Sequence, residues 1–295
     1  MERKMSIFRQ KGKFMTITET SGGILVRLPY LSLADTLDCG QCFRWETSDN
    51  CTFRGCHNGH FLTVSQLKLG APQDESAIFL HRTTRKQFET IWRPYFDLDT
   101  DYHAMQQIFR NDPTLALACD YAGGIRILRQ EPWEALCSFI ISQNNNITRI
   151  KGIVTRLCET FGNHTADGYT FPRPERIASL SLDDLSPLRA GFRAKYILDA
   201  AQKIAGGEID LPAVAAMPID EARKALQTIC GVGPKVAECA LLFGFYRREA
   251  FPIDTWIKKV LNIYYPNGFP DFAVPDGGVA QQYLFHYVRN HPLPA

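Results

Sequence analysis

The sequence lacks the long apolar runs and export signals that would place it in or beyond a membrane. Its apolar segments, such as Trp133 to Ile141 and Ala237 to Phe245, are too short to span a bilayer. The N-terminal stretch 1–14 is basic but has neither an apolar core nor a cleavage pattern, so it does not resemble a secretory signal. We interpret it as a disordered extension or an early start codon, with Met15 as the alternative start. Low-complexity runs, internal repeats and glycine-serine linkers are also lacking.

A strong excess of charge of one sign is lacking as well. The net charge is +2 and the isoelectric point is near 8.0. This balance neither requires nor excludes a nucleic-acid partner, which would have to meet a local basic surface and backbone N–H groups. Nine cysteines, an odd number, without an export signal predict reduced thiols in an intracellular protein. With 295 residues, of which 45% are hydrophobic, the chain can form one large or two ordinary domains.

Strand signals come first in the chain and helix signals follow. Ile24 to Leu28 alternate apolar and polar residues, Cys42 to Trp45 form a short strand-like run, and a hairpin is predicted to close at Asn58 and Gly59. Helical periodicity begins at Thr84 and continues to the C-terminus. The predicted fold is α+β, with an antiparallel β-rich N-terminal domain packed on a mostly α-helical domain. The predicted segments are the extension 1–14, the β-rich domain 15–112 and the helical domain 113–295.

The stretch 226–257 is the most informative part of the sequence. Its pattern predicts helix, hairpin, helix, loop and helix, with a Gly-Val-Gly turn at 231–233. Pro234 opens the second helix, which puts Lys235 in the first turn, where unpaired N–H groups disfavour a cation. We therefore expect a useful neutral fraction of the Lys235 amine, the form that a nucleophile needs. For one isolated motif, however, an ordinary surface lysine is the simpler interpretation.

The residues that follow Lys235 change this interpretation. Cys239 lies four residues later on the same helical face, and Asp254 stands just before an amphipathic helix. Taken singly, they would be a core residue and an N-cap. Together, the hairpin, the lysine and the aspartate resemble the helix-hairpin-helix DNA glycosylases that carry both base-excision and strand-cleaving activity. The resemblance implies that Lys235 is the nucleophile and that Asp254 stabilises the developing sugar cation.

The stretch DCGQCFRW, residues 38–45, allows two interpretations. Its two cysteines, with Cys51 and Cys56 downstream, leave a zinc or redox site open. The wide spacing of the second pair and the position of Cys42 in a strand-like run argue against both. The stretch also resembles the N-terminal signature of the eukaryotic-type 8-oxoguanine DNA glycosylases. That resemblance implies that the carbonyl of Gly40 meets the damaged base, because 8-oxoguanine carries a proton on N7 where guanine has a lone pair.

The segment 123–162 also resembles these glycosylases. It contains an amphipathic helix that ends at three asparagines, which from the residues alone could be a plain loop and cap. The resemblance implies that Asn144 fills the gap left by the extruded base and that Arg149 reads the opposite cytosine. Farther on, it implies that Phe192 stacks into DNA and Arg193 hydrogen-bonds a base edge. The family usually has tyrosine at the position of Phe192.

The last helix places Gln281 and Phe285 four residues apart on one face. The resemblance implies that Gln281 reads the edge of the flipped base, that Phe285 stacks on its ring and that Cys239 closes the opposite face. Trp256 stands where the relatives usually have a histidine near the phosphate, so this predicted DNA contact departs from the family pattern.

Around the hairpin, we expect the N–H groups at Gly231 and Gly233 to bind a DNA phosphate. The resemblance also implies a structural monovalent or calcium ion at the carbonyls of Gln227, Ile229 and Val232. No catalytic metal and no cofactor are expected. Because no cysteine follows Cys239, the four-cysteine iron-sulfur cluster of the related endonuclease III is not expected.

The resemblance implies a bifunctional 8-oxoguanine glycosylase and lyase. Its partner would be double-stranded DNA containing 8-oxoguanine paired with cytosine, and a monomer without membrane association is expected. The predicted localisation is the cytoplasm and nucleoid of a bacterium, or the nucleus of a eukaryote. Two alternatives remain. One is a glycosylase for alkylated bases, whose relatives use the aspartate without the lysine, and the other is a non-catalytic helix-hairpin-helix module that only binds DNA.

Overall fold

The first part of the fold is an antiparallel sheet. The computed structural model describes residues 15–67 and 76–291, so the predicted extension 1–14 lies outside the described residues. Six strands pair in the order β1-β2-β6-β5-β4-β3. The strands are β1 (Thr16–Thr20), β2 (Gly23–Leu28), β3 (Trp45–Thr47), β4 (Thr52–His57), β5 (His60–Leu67) and β6 (Ser76–His81).

The turn between β4 and β5 has the predicted sequence and geometry. Asn58 and Gly59 have φ angles of +46° and +78°, which asparagine and glycine adopt at little cost, and His57 pairs with His60 across the turn. The predicted hairpin is therefore confirmed. The predicted strand at Cys42 to Trp45 is wrong in part, because β3 begins only at Trp45 and the preceding residues form a bend.

One face of the sheet is covered by short helices. These are α1 (Leu33–Leu37) and a helical segment made of α2 (Arg85–Gln87), a π-helical turn (Phe88–Trp92) and α3 (Arg93–Tyr95). The indole N–H of Trp45 donates to the hydroxyl of Tyr95 at 2.7 Å, and the two rings stack at 6.0 Å. The sheet and these helices share a core that buries Trp45, Phe88, Trp92 and Tyr95.

The rest of the described chain is helical apart from one small hairpin. That hairpin, β7 (His164–Thr165) and β8 (Gly168–Tyr169), was not predicted. Two 3-10 turns occupy Asp183–Leu188 and Asp271–Asp276. The helices are α4 (Tyr102–Phe109), α5 (Pro113–Ala122), α6 (Pro132–Ser142), α7 (Ile147–Phe161), α8 (Pro174–Ala178), α9 (Arg193–Ala205), α10 (Leu211–Ala216), α11 (Ile219–Leu226), α12 (Pro234–Phe243), α13 (Thr255–Tyr264) and α14 (Gly277–Asn290). The predicted α+β class is confirmed.

A second core lies among the helices and reaches into the β-rich part. At its centre, the ring of Phe139 on α6 stacks on Phe243 at 5.2 Å and meets Phe43 edge to face at 5.8 Å. Cys39 and Phe43 precede β3, yet they belong to this helical core. The two parts are therefore packed closely, and the predicted boundary between residues 112 and 113 stays a prediction.

In the described ranges, no helix is both long and apolar enough to cross a bilayer.

The histidine at the end of β4 gives the fold a predicted pH dependence. Its ring lies 4.4 Å from the ring of Tyr95, and burial, with the charges of His60 and Arg44 adding, lowers the pKa of His57 to about 4. The unfolded chain should titrate near the ordinary histidine pKa of about 6.5. Between these two values the unfolded state binds more protons, so the stability contributed by neutral His57 is lost as the pH falls through this window.

Because of His57, we expect the free energy of unfolding to fall by up to about 1.4 kcal/mol for each pH unit of acidification within this window. His57→Gln should flatten the pH profile between about pH 4 and 6.5, as measured by urea unfolding at several pH values. His164→Gln, at an exposed position in the small hairpin, is the matched control. Identical profiles for the two variants would contradict the prediction.

Candidate active site

A cleft of about 1000 Å³ lies where the end of α6, the start of α12, the loop before α13 and the end of α14 meet. The β-rich part contributes the loop that carries Gly40 and Phe43. Many of the predicted site residues line this cleft, namely Gly40, Asn144, Phe192, Gly233, Lys235, Asp254, Trp256 and Phe285.

Helix α9 holds the hairpin that precedes α12. Gly231 has a φ of +76°, and a Cβ atom there would lie 2.3 Å from Cδ2 of Tyr196 on α9. The N–H of Cys230 donates to the carboxylate of Asp199, also on α9, at 2.7 Å. Gly233 differs, because its φ of −89° is open to any residue and nothing lies within 4 Å of the Cβ position. Only the first glycine of the turn is therefore required by its geometry.

Lys235 lies in the first turn of α12, as predicted. Its Nζ lies 5.4 Å from the centroid of the Phe139 ring and 3.5 Å from the hydroxyl oxygen of Ser142. That hydroxyl donates its own proton to the carbonyl of Phe139 at 2.8 Å, so only its lone pairs can face the amine. Within the described part of the chain, no carboxylate lies within 4.0 Å of the Lys235 amine. The amine is thus placed at the cleft without an ion-pair partner among residues 15–67 and 76–291.

Asp254 caps α13, as the sequence predicts. One carboxylate oxygen, Oδ1, accepts the N–H groups of Trp256 at 3.0 Å and Ile257 at 2.8 Å. The other oxygen, Oδ2, accepts no hydrogen bond from residues 15–67 or 76–291. The cap fixes the side chain and leaves one oxygen free to act at the cleft, which Asp254 also lines.

Gly40 and Phe285 form neighbouring parts of the cleft wall. Gly40 has a φ of +87°, and a Cβ atom there would lie 4.0 Å from the ring of Phe285. The Gly40 loop is held from α14, because the side-chain amide of Gln282 donates to the carbonyl of Cys39 at 3.0 Å. The guanidinium of Arg289 lies 5.2 Å from the centroid of the Phe285 ring, on the cleft side.

Cys239 and Gln281, both predicted to contact the flipped base, are not among the residues that line the cleft. Gln281 is 4% exposed, and its Oε1 accepts no hydrogen bond from any described residue. A buried polar atom without a partner is costly, so this oxygen is available to a ligand. Cys239 is 3% exposed; burial raises the pKa of its thiol, and the charge of Lys235 opposes that rise. The roles of both residues stay predictions.

Three residues predicted to enter or contact the DNA helix, Asn144, Phe192 and Arg193, meet at the end of α6. Arg193, however, is buried. Asn144 has a φ of +44°, and the Arg193 guanidinium donates to its carbonyl at 2.7 Å and to that of Gln143 at 2.8 Å. The ring of Phe192 is 49% exposed and lies 4.3 Å from the guanidinium. In this geometry Arg193 holds the asparagine turn, whereas Arg149 is exposed. The base-reading roles of the two arginines stay predictions.

The three carbonyls predicted to hold an ion lie between α11 and α12. The Ile229 carbonyl accepts the N–H of Val232 at 3.0 Å, while no N–H in the described ranges donates to the carbonyls of Gln227 or Val232. Two of the three oxygens are thus free to bind a cation. The zinc alternative at residues 38–45 has no support, because the described residues contain no cluster of metal-binding side chains.

Several residues that line the cleft were not predicted as site residues. Among them are Phe139, Ser142 and Arg289. Arg289 follows Phe285 by one helical turn, so the periodicity that pairs Gln281 with Phe285 could have found it. Phe139 and Ser142 come from a helix whose pattern indicates burial, and only the packing of α12 against α6 brings them to Lys235.

Comparison with known proteins assigns both parts of the chain. Residues 24–136 match the family described as the 8-oxoguanine DNA glycosylase N-terminal domain. Residues 137–268 match the HhH-GPD superfamily of base excision DNA repair proteins, which is the class that the helical fold and its hairpin define. The chain is 30% identical over 240 residues to the probable N-glycosylase/DNA lyase of Methanothermobacter thermautotrophicus, covering 71% of this chain and 75% of that protein.

Solved structures agree with this assignment. The 8-oxoguanine glycosylase/lyase of Clostridium acetobutylicum, in complex with double-stranded DNA containing cytosine opposite 8-oxoG, is 34% identical with a TM-score of 0.83, covering 94% of this chain and 99% of that one. MBOgg1 in complex with a low-affinity DNA ligand is 37% identical with a TM-score of 0.84, covering 94% and 98%. The chain belongs to the 8-oxoguanine DNA glycosylase family.

The two hairpin glycines provide a matched test of how α12 is positioned. Gly231→Ala adds a side chain where φ is positive and a ring is in the way, so we expect a loss of about 3 kcal/mol in the free energy of unfolding. Gly233→Ala should change it by no more than about 0.5 kcal/mol. Urea unfolding measures both variants, and equal losses would refute the assigned role of the Tyr196 contact.

Proposed function

We propose that this protein excises 8-oxoguanine opposite cytosine from duplex DNA and then cleaves the strand 3′ to the abasic site. The observation that carries the proposal is the joint placement of the Lys235 amine and the Asp254 carboxylate on one cleft. The cleft is large enough for a flipped base, since ligand sites commonly occupy about 300–1,000 Å³. The family relatives named as glycosylase/lyases support the same activity.

In the proposed reaction the neutral Lys235 amine attacks C1′ of the extruded nucleotide. The N-glycosidic bond breaks, and the base leaves with the bonding pair and takes up a proton. Asp254 stabilises the positive charge that develops on the sugar. Ser142 accepts one N–H of the amine, which aims the amine lone pair away from that hydroxyl. The attached nitrogen loses a proton, the C1′–O4′ bond breaks with O4′ taking the electron pair and a proton, and a Schiff base forms between the nitrogen and C1′.

The lyase step follows from this Schiff base. A base removes a proton from C2′, and the electron pair moves toward the iminium to give an enamine. The pair then returns to form a C2′=C3′ double bond as the C3′–O bond breaks and the 3′ phosphate leaves with its bonding pair. Hydrolysis of the remaining imine would free Lys235. No metal or redox group is needed for either step.

We propose that the flipped base lies between Phe285 and the side of α12 that carries Cys239. The carbonyl of Gly40 would accept a hydrogen bond from the N7–H group of 8-oxoguanine, a donor that undamaged guanine lacks. The unpartnered Oε1 of Gln281 would accept a hydrogen bond from the edge of the base. The buried oxygen has no hydrogen-bond partner among the described residues, and a donor on the edge of the flipped base would provide one, which supports this role.

The opposite strand and the backbone would be bound by the other predicted residues. Asn144 would fill the gap that the extruded nucleotide leaves in the DNA helix, and Phe192 would stack beside this gap. Arg149 would read the opposite cytosine, with Arg193 nearby. The hairpin N–H groups at Gly231 and Gly233 would bind a phosphate, since the N-terminus of α12 has no side-chain cap. A structural ion at the carbonyls between α11 and α12 would stiffen this hairpin. Trp256 is proposed to contact DNA through its exposed ring, and the enzyme to act as an intracellular monomer.

Lys235→Gln tests the nucleophile. With borohydride and a duplex carrying 8-oxoguanine opposite cytosine, we expect the wild type to form a covalent adduct and the variant to form none. Lys258→Gln, which removes another lysine of the same cleft, is the matched control and should keep the adduct. An undamaged duplex should give no adduct with any of the three proteins.

Two other results would redirect the assignment. Release of the base by the wild type without an adduct would indicate a single-step glycosylase in which Asp254 carries the chemistry. Neither release nor adduct on any damaged base would favour a module that only binds DNA.

Arg149→Gln tests the reading of the opposite base. A bidentate contact contributes about 1–3 kcal/mol to discrimination, so we expect the ratio of excision rates opposite cytosine and opposite adenine to fall by about tenfold or more. Lys151→Gln, two residues away and paired with Asp38, should leave the ratio unchanged. Single-turnover rates on the two duplexes give the ratio, and an unaltered ratio for Arg149→Gln would remove the residue from this role.

A further inference from the structure

A buried carboxylate lies one helical turn after the proposed nucleophile. Glu238 on α12 has 11% of its side chain exposed. Its Oε1 accepts a hydrogen bond from the Nε of Arg223 on α11, and its Oε2 accepts the backbone N–H of Phe251 at 2.6 Å. Glu238 therefore connects the helix of Lys235 to a segment of chain that lies outside any helix or strand.

That segment delivers the second proposed catalytic group. Phe251 begins the stretch that leads through Pro252 and Ile253 to Asp254 at the start of α13. Among the described residues, the hydrogen bond to Glu238 is the only one made by the backbone of residues 251–253. Pro252 has no N–H to donate, and Ile253 is 48% exposed.

The remaining support for this loop is apolar. The ring of Phe251 packs on the ring of Phe269 at a centroid distance of 4.9 Å. Such packing is less directional than a hydrogen bond to a charged acceptor, which is short and about twice as strong as a neutral one. The hydrogen bond from Arg223 to Oε1 fixes the orientation of the carboxylate, so that Oε2 faces the N–H of Phe251. The hydrogen bond from Phe251 to Glu238 is thus the directional link between the Lys235 helix and the loop before Asp254.

We propose that Glu238 is a positioning residue for the reaction: by hydrogen-bonding the Asp254 loop to the Lys235 helix, it sets the separation of the two groups. The inference rests on the proposed function. It assigns no contact with DNA or with the base to Glu238. Since a misplacement of about 1 Å can slow an enzymatic reaction by about 100-fold, loss of this hydrogen bond should slow the chemistry and leave binding intact.

A double-mutant cycle tests the inference. The variants are Glu238→Ala, Asp254→Asn and their combination, and the measurement is the single-turnover rate of 8-oxoguanine excision at saturating enzyme. Asparagine caps helices as well as aspartate does, so Asp254→Asn should keep α13 in place. We expect Glu238→Ala to slow the wild type by about 30-fold or more, and to slow the Asp254→Asn enzyme by less than about threefold, because the group it positions is already disabled.

Two controls separate positioning from stability. Glu134→Ala removes another buried carboxylate, which pairs with Arg44 away from the cleft, and its effect should be small and equal in both backgrounds. Glu238→Gln keeps an oxygen that can accept the Phe251 N–H, so it should recover most of the rate. If Glu238→Ala does not fold, as judged by thermal unfolding, the cycle is run with Glu238→Asp, whose shorter side chain draws the acceptor away from the Phe251 N–H. Affinity for a duplex with a non-cleavable abasic analogue should change by less than about threefold.

The outcomes are distinct. An equal loss of rate in the wild-type and Asp254→Asn backgrounds would mean that Glu238 serves only the fold, and it would overturn the positioning role while leaving the proposed function intact. An unchanged rate in Glu238→Ala would overturn it as well. If the wild type itself forms no borohydride adduct and releases no base, the proposed function fails, and this inference fails with it.

Discussion

The close approach of the turn at Gly231 to α9 is the constraint on which the position of α12 depends. A side chain at Gly231 would overlap the ring of Tyr196, so glycine is required for the turn to lie at this distance from α9. That distance sets where α12 begins and therefore where the amine of Lys235 stands. The same helix, α9, starts with Phe192 and Arg193, whose guanidinium holds the turn of Asn144. One helix thus positions both the hairpin and the residues proposed to enter the DNA.

The β-rich part of the chain contributes to the cleft through one loop. Phe43 packs edge to face on Phe139, and the carbonyl of Cys39 accepts a hydrogen bond from Gln282 on α14. These contacts place Gly40 beside Phe285 at the cleft wall. The sheet therefore acts as a support that presents this loop, and its own core around Trp45 lies apart from the cleft.

The features that could be predicted from the sequence are those governed by local rules. Pro234 and the glycine turn place Lys235 in a first turn, and Asp254 precedes a helix that it caps, because helix starts depend on a few neighbouring residues. The α+β class follows from the change of periodicity. Burial of Arg193 could not be predicted, since two of the carbonyls that accept its hydrogen bonds, those of Gln143 and Asn144, come from about 50 residues earlier in the chain. Likewise, only the tertiary packing buries Gln281, which does not line the cleft.

Asp254 starts a helix with one oxygen and faces the cleft with the other. Selection for a folded protein and selection for the proposed chemistry therefore act on the same side chain. Such a position has few routes of neutral drift, because nearly every replacement harms the helix start before the chemistry is considered. Asparagine and serine are the main exceptions, since each can preserve the cap and removes the charge. A descendant of this protein that lost its enzymatic role while keeping its fold would be expected to pass through one of these substitutions.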